Sequence, residues 1–240
     1  MGYATEGLAA TVEIIGHRGS PRERRENTLP SFARAFEVGA TAIELDVHGT
    51  RDGVVVVHHD AATNARPGDS GPVFTIAESA WEALRDVPIA GGRIPTLDVV
   101  LASVPANCTA YVEVKAPRIE EVVVSVIRAH STRCAVHSFD HRIARRVREL
   151  APDIPVGILQ TSYPVDPLRP MRDVGARDLW QHWELIDQAL IERVHEYGGR
   201  VIAWTANDPA VVSVLVRWGI DGICSDVPAA MRSLVDDLAR

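Results

Sequence analysis

Residues 42–60 read AIELDVHGTRDGVVVVHHD, and this stretch decides which fold the chain adopts. A largely apolar run covers its first six residues, and a second begins at Val54, only six residues after the first ends. Six residues are too few for the crossover that joins parallel strands, which takes about a dozen or more. Asp52-Gly53 is instead a turn signal between two β-like runs. We therefore interpret Val54–His58 as the return arm of a β-hairpin on the preceding strand, outside the main sheet.

Eight apolar runs remain when the hairpin arm is set aside. Most are continuously apolar, as expected of parallel strands that are buried on both faces. Helix-length amphipathic segments lie between them, with readable capping signals such as Asp208-Pro209 at a helix start and Gly219 at its end. The predicted strands are Val12–Gly16, Ala42–Val47, Ala110–Val114, Cys134–His137, Pro155–Leu159, Arg177–Gln181, Val201–Trp204 and Asp221–Cys224.

Eight strand–helix units in 240 residues match an α/β fold of the (β/α)8 TIM barrel type. An open doubly wound sheet is the competing architecture, but no Gly-rich phosphate loop follows the first strand. We expect a single barrel domain over residues 1–240. The second strand is followed by the hairpin and by an insertion of about 61–95, in which we expect a helix near Thr75–Asp86.

The composition excludes several classes of protein. The formal net charge of -7 argues against a nucleic-acid partner. Three scattered cysteines, Cys108, Cys134 and Cys224, do not indicate a disulfide framework or a zinc site. No apolar run reaches the length of about 18 residues that an integral membrane segment needs, and Met1–Ala10 does not resemble a secretory signal. We expect a cytoplasmic protein of unknown oligomeric state.

Acidic residues occur where a barrel would gather them. Side chains at the carboxyl ends of barrel strands converge on one face. Glu44 and Asp46 are two residues apart and so point to the same side of their strand, and Glu113 lies in phase on the next strand. Three oxygen ligands predict a site for a hard divalent ion, Mg²⁺ or Ca²⁺. In the alternative interpretation, a cation such as Lys115 neutralises these acids within the barrel.

Two histidines and two cations complete the candidate site. His17 ends the first strand and His59 ends the hairpin arm, so the hairpin can bring them together. Such a pair suits proton transfer during displacement at phosphorus near neutral pH. Arg18 and Lys115 offer fixed positive charge to a phosphodiester. His137 and His182, beyond other strand ends, are equally compatible with lining the pocket and with packing.

Many fixed-spacing motifs make the chain resemble the glycerophosphodiester phosphodiesterase family. The similarity is most specific near the amino terminus and continues over nearly the whole chain. The motifs are Ile15-Gly16-His17-Arg18-Gly19, Glu26-Asn27-Thr28, Ile43-Glu44-Leu45-Asp46-Val47, Asp52-Gly53, His59-Asp60, Glu113-Val114-Lys115, Ser138-Phe139-Asp140, Trp204-Thr205-Ala206-Asn207 and Asp221-Gly222-Ile223 with Asp226.

The resemblance implies a (β/α)8 barrel that hydrolyses a small glycerophosphodiester to glycerol 3-phosphate and an alcohol. It also implies attack by the 2-hydroxyl of the substrate, which gives a cyclic phosphate that water then opens. The implied roles are metal ligands for Glu44, Asp46 and Glu113, acid/base catalysis for His17 and His59, and phosphate binding for Arg18 and Lys115. We expect Trp204 to form the glycerol side of the pocket.

Two other functions remain compatible with the sequence. A lipid-directed phosphodiesterase, similar to a lysophospholipase D, would need an exposed apolar docking element, for which the insertion is the one candidate. A catalytically silent phosphodiester-binding protein would use the same pocket. It would be favoured by loss of a histidine or of a metal-binding acid, yet all of these residues are present.

Overall fold

A computed structural model describes residues 12–65, 70–89 and 92–240. The predictions made for Met1–Ala10 lie outside these residues, as do residues 66–69 and 90–91 of the expected insertion. In the described chain the strands are β1 (Glu13–His17), β2 (Ala42–Gly49), β3 (Val55–Val57), β4 (Pro88–Ile89), β5 (Gly92–Arg93), β6 (Thr109–Val114), β7 (Arg133–Ser138), β8 (Val156–Gln160), β9 (Asp178–His182), β10 (Arg200–Trp204) and β11 (Gly222–Ser225).

The α-helices alternate with the longer strands. They are α1 (Leu29–Glu37), α2 (Trp81–Leu84), α3 (Leu97–Ser103), α4 (Glu120–Arg128), α5 (His141–Leu150), α6 (Arg169–Val174), α7 (Gln188–Glu196), α8 (Pro209–Arg217) and α9 (Pro228–Leu238). The predicted cap is confirmed at α8, where the Asp208 carboxylate accepts a hydrogen bond from a backbone N–H group of the first turn, and Asp140 caps α5 in the same way. None of the described helices is long and apolar enough to cross a membrane.

Eight parallel strands close into a barrel, which confirms the predicted fold class. Their order around the barrel is β1, β11, β10, β9, β8, β7, β6 and β2, and β2 pairs with β1 to close it. Each predicted strand corresponds to one of these eight to within two residues at either end. The hairpin is confirmed as well, because β3 runs antiparallel to the end of β2, with Val57 opposite Val47. Among the described strands, β3 pairs with β2 alone, and it is not a barrel strand.

The helix expected near Thr75–Asp86 is wrong as one continuous element. A 3₁₀ turn at Ile76–Glu78 is followed by the separate four-residue helix α2. The hairpin turn explains the break: the Asp52 carboxylate accepts a hydrogen bond from the Trp81 backbone N–H, and the Arg51 N–H donates to the Ser79 carbonyl. These tertiary hydrogen bonds replace those that would continue the helix.

The apolar side chains form two main layers around the barrel strands. The larger layer packs the helices against the outside of the barrel. The smaller layer fills the barrel interior with Ile15, Ala42, Tyr111, Ala135, Leu159, Trp180, Ile202 and Cys224. Polar and charged side chains occupy the strand ends on both sides of this inner layer. The candidate site therefore rests on a packed floor rather than over an open pore.

Candidate active site

Strand register brings the predicted acids and the first histidine together. His17 lies opposite Glu44 in the pairing of β1 with β2, and Asp46 lies opposite Glu113 in the pairing of β2 with β6. All four side chains are at the carboxyl end of the barrel, on the inner face of their strands. The expectation that these positions converge on one face is therefore met by the backbone alone.

Asp46 is the most completely engaged acid of the site. Its side chain is fully buried, and one oxygen, Oδ2, accepts a hydrogen bond from Asn27 Nδ2 at 2.8 Å and lies 3.0 Å from Arg18 Nε. The other oxygen, Oδ1, lies 3.3 Å from Lys115 Nζ. Burial alone would raise the pKa of Asp46, but the charges of Arg18 and Lys115 outweigh it and hold that pKa well below its usual range. Asp46 is therefore a carboxylate at neutral pH.

Glu44 and Glu113 are in a different electrostatic position. Burial, followed by repulsion from neighbouring carboxylates, raises the pKa of Glu44 well above its usual value. Burial and the charge of Asp46 raise the pKa of Glu113 to about 7, although Lys115 Nζ donates to Glu113 Oε1 at 2.8 Å. The alternative interpretation of the sequence, neutralisation by Lys115, thus describes part of the site. Two cations serve three acids, and the raised pKa values of Glu44 and Glu113 favour their protonated forms, so a further cation would be needed for all three acids to ionise together.

The loop after β1 has a shape that glycine makes possible. Gly19 has φ +93°, and a Cβ atom there would lie 2.4 Å from the Ser31 side-chain oxygen on α1. Arg18 itself is left-handed with φ +55°, and its backbone N–H donates to Glu44 Oε2 at 3.1 Å. Its guanidinium contacts both Asp46 and Glu26. The loop thereby fixes a cation, which the sequence predicts for phosphate binding, directly against the acids.

Each predicted catalytic histidine has a carboxylate partner. His17 Nδ1 lies 2.7 Å from Asp226 Oδ1, and His59 Nδ1 lies 2.7 Å from Asp60 Oδ1. Asp226 is held in turn by Asn207 Nδ2, which donates to its Oδ2 at 2.8 Å. A proton on each Nδ1 satisfies these contacts and leaves each Nε2 able to accept a proton. Burial lowers the pKa of His59, which favours its neutral form.

Sequence reasoning did not assign a role to Asp226. The residue belongs to the motifs that carry the family resemblance, and it follows β11 at the carboxyl end of the barrel. Its position just beyond the end of a predicted strand could have identified it as a candidate site residue. Its partner, however, is 209 residues away in the chain, and only closure of the barrel between β11 and β1 brings the two side chains together.

Aromatic side chains border the cluster on another side. The Trp204 ring meets Phe139 edge-on with 5.2 Å between ring centroids, and meets His182 edge-on at 5.4 Å. Lys115 Nζ lies 6.0 Å from the centroid of Phe139, so this aromatic group adjoins the charged cluster. The sequence predicted Trp204 in such a wall and left His182 open between pocket and packing. Phe139, which is 45 % exposed, was not singled out as a site residue.

His137 lies deeper than the other histidines of the site. Its side chain is buried and stacks on Trp180 with ring centroids 4.2 Å apart. Burial lowers the pKa of His137 to about 3, so the ring is neutral. Within the described chain, Glu44, Glu113 and His137 form a buried group whose ligand atoms all lie within 4.8 Å of one another. Such donors, two of them buried acids whose ionised forms a bound cation would favour, fit a divalent metal ion.

Comparisons with known proteins agree with this architecture. The profile of the Glycerophosphoryl diester phosphodiesterase family matches residues 17–230. A glycerophosphodiester phosphodiesterase of Caldanaerobacter subterraneus subsp. tengcongensis is 32% identical over 236 residues, which cover 92% of this chain and 97% of that protein. A probable glycerophosphodiester phosphodiesterase 2 of Mycobacterium tuberculosis is 30% identical, with 96% of each chain covered.

Solved structures show the same fold. A putative glycerophosphoryl diester phosphodiesterase from Silicibacter pomeroyi superposes with a TM-score of 0.85 at 24% identity, and covers 97% of this chain and 96% of its own. A phosphodiesterase from Oleispira antarctica, solved with the product sn-glycerol-3-phosphate, superposes with a TM-score of 0.84 at 24% identity, and covers 93% and 96%.

The fold and the site define a barrel enzyme of phosphodiester chemistry. The chain belongs to the glycerophosphoryl diester phosphodiesterase family. The family and the enzyme class predicted from the sequence are thereby confirmed. The family generally depends on a divalent metal ion, and the buried acidic and histidine group described above is consistent with that dependence.

Proposed function

We propose that this chain hydrolyses small glycerophosphodiesters to glycerol 3-phosphate and an alcohol, and that residues 1–240 form one catalytic domain. The observation that carries the proposal is the pair of carboxylate-backed histidines beside a cluster of cations and excess acid. Acid/base groups, fixed positive charge and metal-ligating carboxylates are the components that displacement at phosphorus requires. The likeness to the curated relatives supports the same substrate class.

Substrate binding falls to the cations and the aromatic wall in this proposal. Arg18 and Lys115 hold the phosphate oxygens, and both keep their charge because the surrounding carboxylates raise their pKa values despite burial. The Trp204 ring offers an apolar surface to the glycerol carbons. The headgroup alcohol then extends toward solvent, where Phe139 is exposed at the rim.

The two histidines carry out the proton transfers. One imidazole Nε2 accepts the proton of the glycerol 2-hydroxyl while the hydroxyl oxygen attacks phosphorus. The other histidine donates a proton to the oxygen of the departing alcohol. A five-membered cyclic phosphate results. In the second step the roles reverse: water is deprotonated, attacks phosphorus and opens the ring to glycerol 3-phosphate as the 2-oxygen is reprotonated. Asp226 and Asp60 keep both rings in the required tautomer.

The metal ion belongs beside these groups. We assign it to the carboxylates of Glu44, Asp46 and Glu113, a set that by itself favours Mg²⁺ or Ca²⁺. Two observations support the assignment: Glu44 and Glu113 are buried with raised pKa values, and Asp46 Oδ1 accepts no hydrogen bond from the described residues. When bound, a divalent ion polarises the phosphoryl oxygens and favours loss of the hydroxyl proton.

Release of glycerol 3-phosphate tests the proposal. The rate is measured with glycerophosphocholine, glycerophosphoethanolamine and lysophosphatidylcholine, in chelator and with added Mg²⁺ or Ca²⁺. We expect metal-dependent release from the first two substrates, and weaker metal binding in Glu44→Gln and Asp46→Asn. Lysophosphatidic acid formed from the lysolipid, without reaction of the water-soluble diesters, would instead identify a lipid-directed enzyme. Binding of the diesters without turnover would identify a silent binding protein.

A further inference from the structure

His137 is a buried polar side chain that has no hydrogen-bond partner in the part of the chain that the structure describes. Only 1 % of the residue is exposed, and neither Nδ1 nor Nε2 has a partner within the described residues. Burying an imidazole without compensating hydrogen bonds costs free energy, because the ring gives up its bonds to water. The hydrolytic steps proposed above make no use of this residue. Its position therefore calls for a ligand that the protein itself does not supply.

The backbone places His137 next to a proposed metal ligand. In the pairing of β6 with β7, His137 lies opposite Glu113, so the two side chains leave neighbouring strands side by side into the barrel. One ring nitrogen and one oxygen each from Glu44 and Glu113 fall within 4.8 Å of one another. Two ligands on opposite sides of an ion at about 2.0–2.6 Å are separated by about 4–5 Å. The three atoms are thus already close to a coordination sphere.

Packing also fixes the orientation of the ring. The Trp180 ring stacks on His137 with only 13° between the planes, and Tyr111 borders it with ring centroids 6.4 Å apart. Gly157, opposite His137 on β8, leaves the space that Trp180 fills, because a Cβ atom there would lie 3.0 Å from Trp180 Cδ1. Because Trp180 packs on a face of the His137 ring, the ring edge that carries the nitrogens is directed toward Glu44 and Glu113.

We propose that His137 is a nitrogen ligand of the divalent ion and completes its coordination with Glu44 and Glu113. This inference rests on the metal site of the proposed function and deepens it. Imidazole suits Fe²⁺, Ni²⁺ and Zn²⁺, whereas Mg²⁺ and Ca²⁺ prefer oxygen. The mixed ligand set therefore shifts the selectivity of the site toward a transition metal, relative to three carboxylates alone.

Pulsed electron paramagnetic resonance of the Mn²⁺-loaded protein tests the ligand directly. Metal-free protein is loaded with one equivalent of Mn²⁺, and coupling of the metal electron spin to ¹⁴N is recorded. We expect ¹⁴N coupling in the wild-type protein and in matched controls His17→Gln and His59→Gln. We expect it to be lost in His137→Gln, which replaces the imidazole nitrogens with a non-ligating amide nitrogen and nearly conserves side-chain length. Coupling that persists in a folded His137→Gln protein would overturn the inference.

The wild-type spectrum decides the question even if His137→Gln does not fold. Bound Mn²⁺ without ¹⁴N coupling in the wild-type protein would show that no histidine ligates the ion. Where the wild-type protein shows coupling, His137→Asn is measured in place of His137→Gln. Labelling the protein with ¹⁵N-histidine must then change the coupling if an imidazole is its source. Persistence of the coupling in His137→Asn, or no change with the label, contradicts the proposal.

Calorimetric titration gives a second measurement that is independent of turnover. His137→Gln should weaken Mn²⁺ binding by about tenfold or more and Ca²⁺ binding by a smaller factor. Equal weakening of both ions would indicate a positioning effect rather than ligation. The result also separates this inference from the proposed function: metal-dependent turnover without ¹⁴N coupling refutes only His137 as a ligand, whereas turnover that is indifferent to chelator refutes the metal site itself.

Discussion

Charged side chains occupy both ends of the barrel, but they are arranged differently. At the amino end, Arg200 donates to Glu13 at 2.7 Å and to the Tyr111 hydroxyl at 3.0 Å, and that hydroxyl donates to Glu13 at 2.6 Å. Arg177 binds both carboxylate oxygens of Asp178, at 2.6 and 2.8 Å. Two acids therefore meet two arginines, and none of their buried side-chain atoms lacks a partner within the described chain.

The carboxyl end is not balanced in this way. Three buried acids share Arg18 and Lys115, and two of those acids have raised pKa values. His137 and one oxygen of Asp46 accept no hydrogen bond there from the described residues. A polar network in which every charge and hydrogen-bonding group has a partner stabilises the fold. A network with unpartnered groups and shifted pKa values is typical of a site that binds a ligand or a metal ion. The comparison therefore separates a structural cluster from the cluster to which we assign catalysis in the same barrel.

The largest change should come from the histidines at the carboxyl end. His17→Gln and His59→Gln should each lower kcat by about 10²–10⁴-fold, because each removes one proton-transfer group. The unfolding temperature should stay near that of the wild-type protein. The measurement is glycerol 3-phosphate release beside a thermal melt. Near-full activity in either variant would remove that histidine from the mechanism.

A smaller kinetic loss should follow from removing the carboxylate behind one histidine. Asp226→Asn keeps the size of the side chain but can turn an amide N–H toward His17 Nδ1, which selects the wrong tautomer. We expect kcat to fall by between about 10- and 10⁴-fold, by no more than in His17→Gln, with little change in KM. The matched variant is Asp60→Asn behind His59. A change confined to KM would show that Asp226 acts in binding instead.

The unbalanced acids should make the metal-free protein lose stability as the pH rises. The pKa of Glu113 is about 7 in the folded protein against an ordinary 4.5, so the folded state holds a proton that the unfolded state has released. The resulting stability is complete below pH 4.5 and is lost as the pH rises through about 7. Melting temperatures in chelator between about pH 5 and 8 measure this loss. Glu113→Gln should flatten the slope, and an unchanged slope would contradict the assignment.

Arg200 supplies the contrast from the amino end. Arg200→Met leaves Glu13 and Tyr111 without their cation and should lower stability by about 1–3 kcal/mol, since these groups are partly exposed. The kcat of the folded enzyme should not change, because the inner apolar layer separates this cluster from the site. Denaturant unfolding and turnover are measured on the same preparation. A loss of kcat without a loss of stability would show that the two ends are coupled.

The sequence predicted the barrel well because its signals are local. Continuous apolar runs, the Asp208-Pro209 cap and the short Asp52-Gly53 turn each constrain only a few neighbouring residues, and all eight strands and the hairpin are confirmed. The expected helix at Thr75–Asp86 failed because hydrogen bonds from the distant hairpin turn break it. A local sequence pattern does not show that distant groups will compete for the hydrogen bonds of the helix.

Only those site residues that lie at the ends of predicted strands could be identified from the sequence. Alternation on β2 placed Glu44 and Asp46 on one face, and register brought Glu113 beside them. The proposed role of Asp226, and the lack of hydrogen-bond partners for His137 among the described residues, depend on which side chains meet across the closed barrel. Phe139 belongs to one of the family motifs, but its place at the site follows only from its contacts with Trp204 and Lys115. These are properties of tertiary packing, and one sequence does not specify them.

We propose that a catalytic divalent ion binds the three buried acids at the carboxyl end and lets them ionise together. The most direct test titrates metal-free protein with Mg²⁺, Ca²⁺ or Mn²⁺ while following glycerol 3-phosphate release from glycerophosphocholine and metal binding on the same sample. We predict no release without an ion, and release that rises in step with occupancy of one site per chain. Full activity in the metal-free protein, or occupancy of the site with no effect on the rate, would contradict the claim.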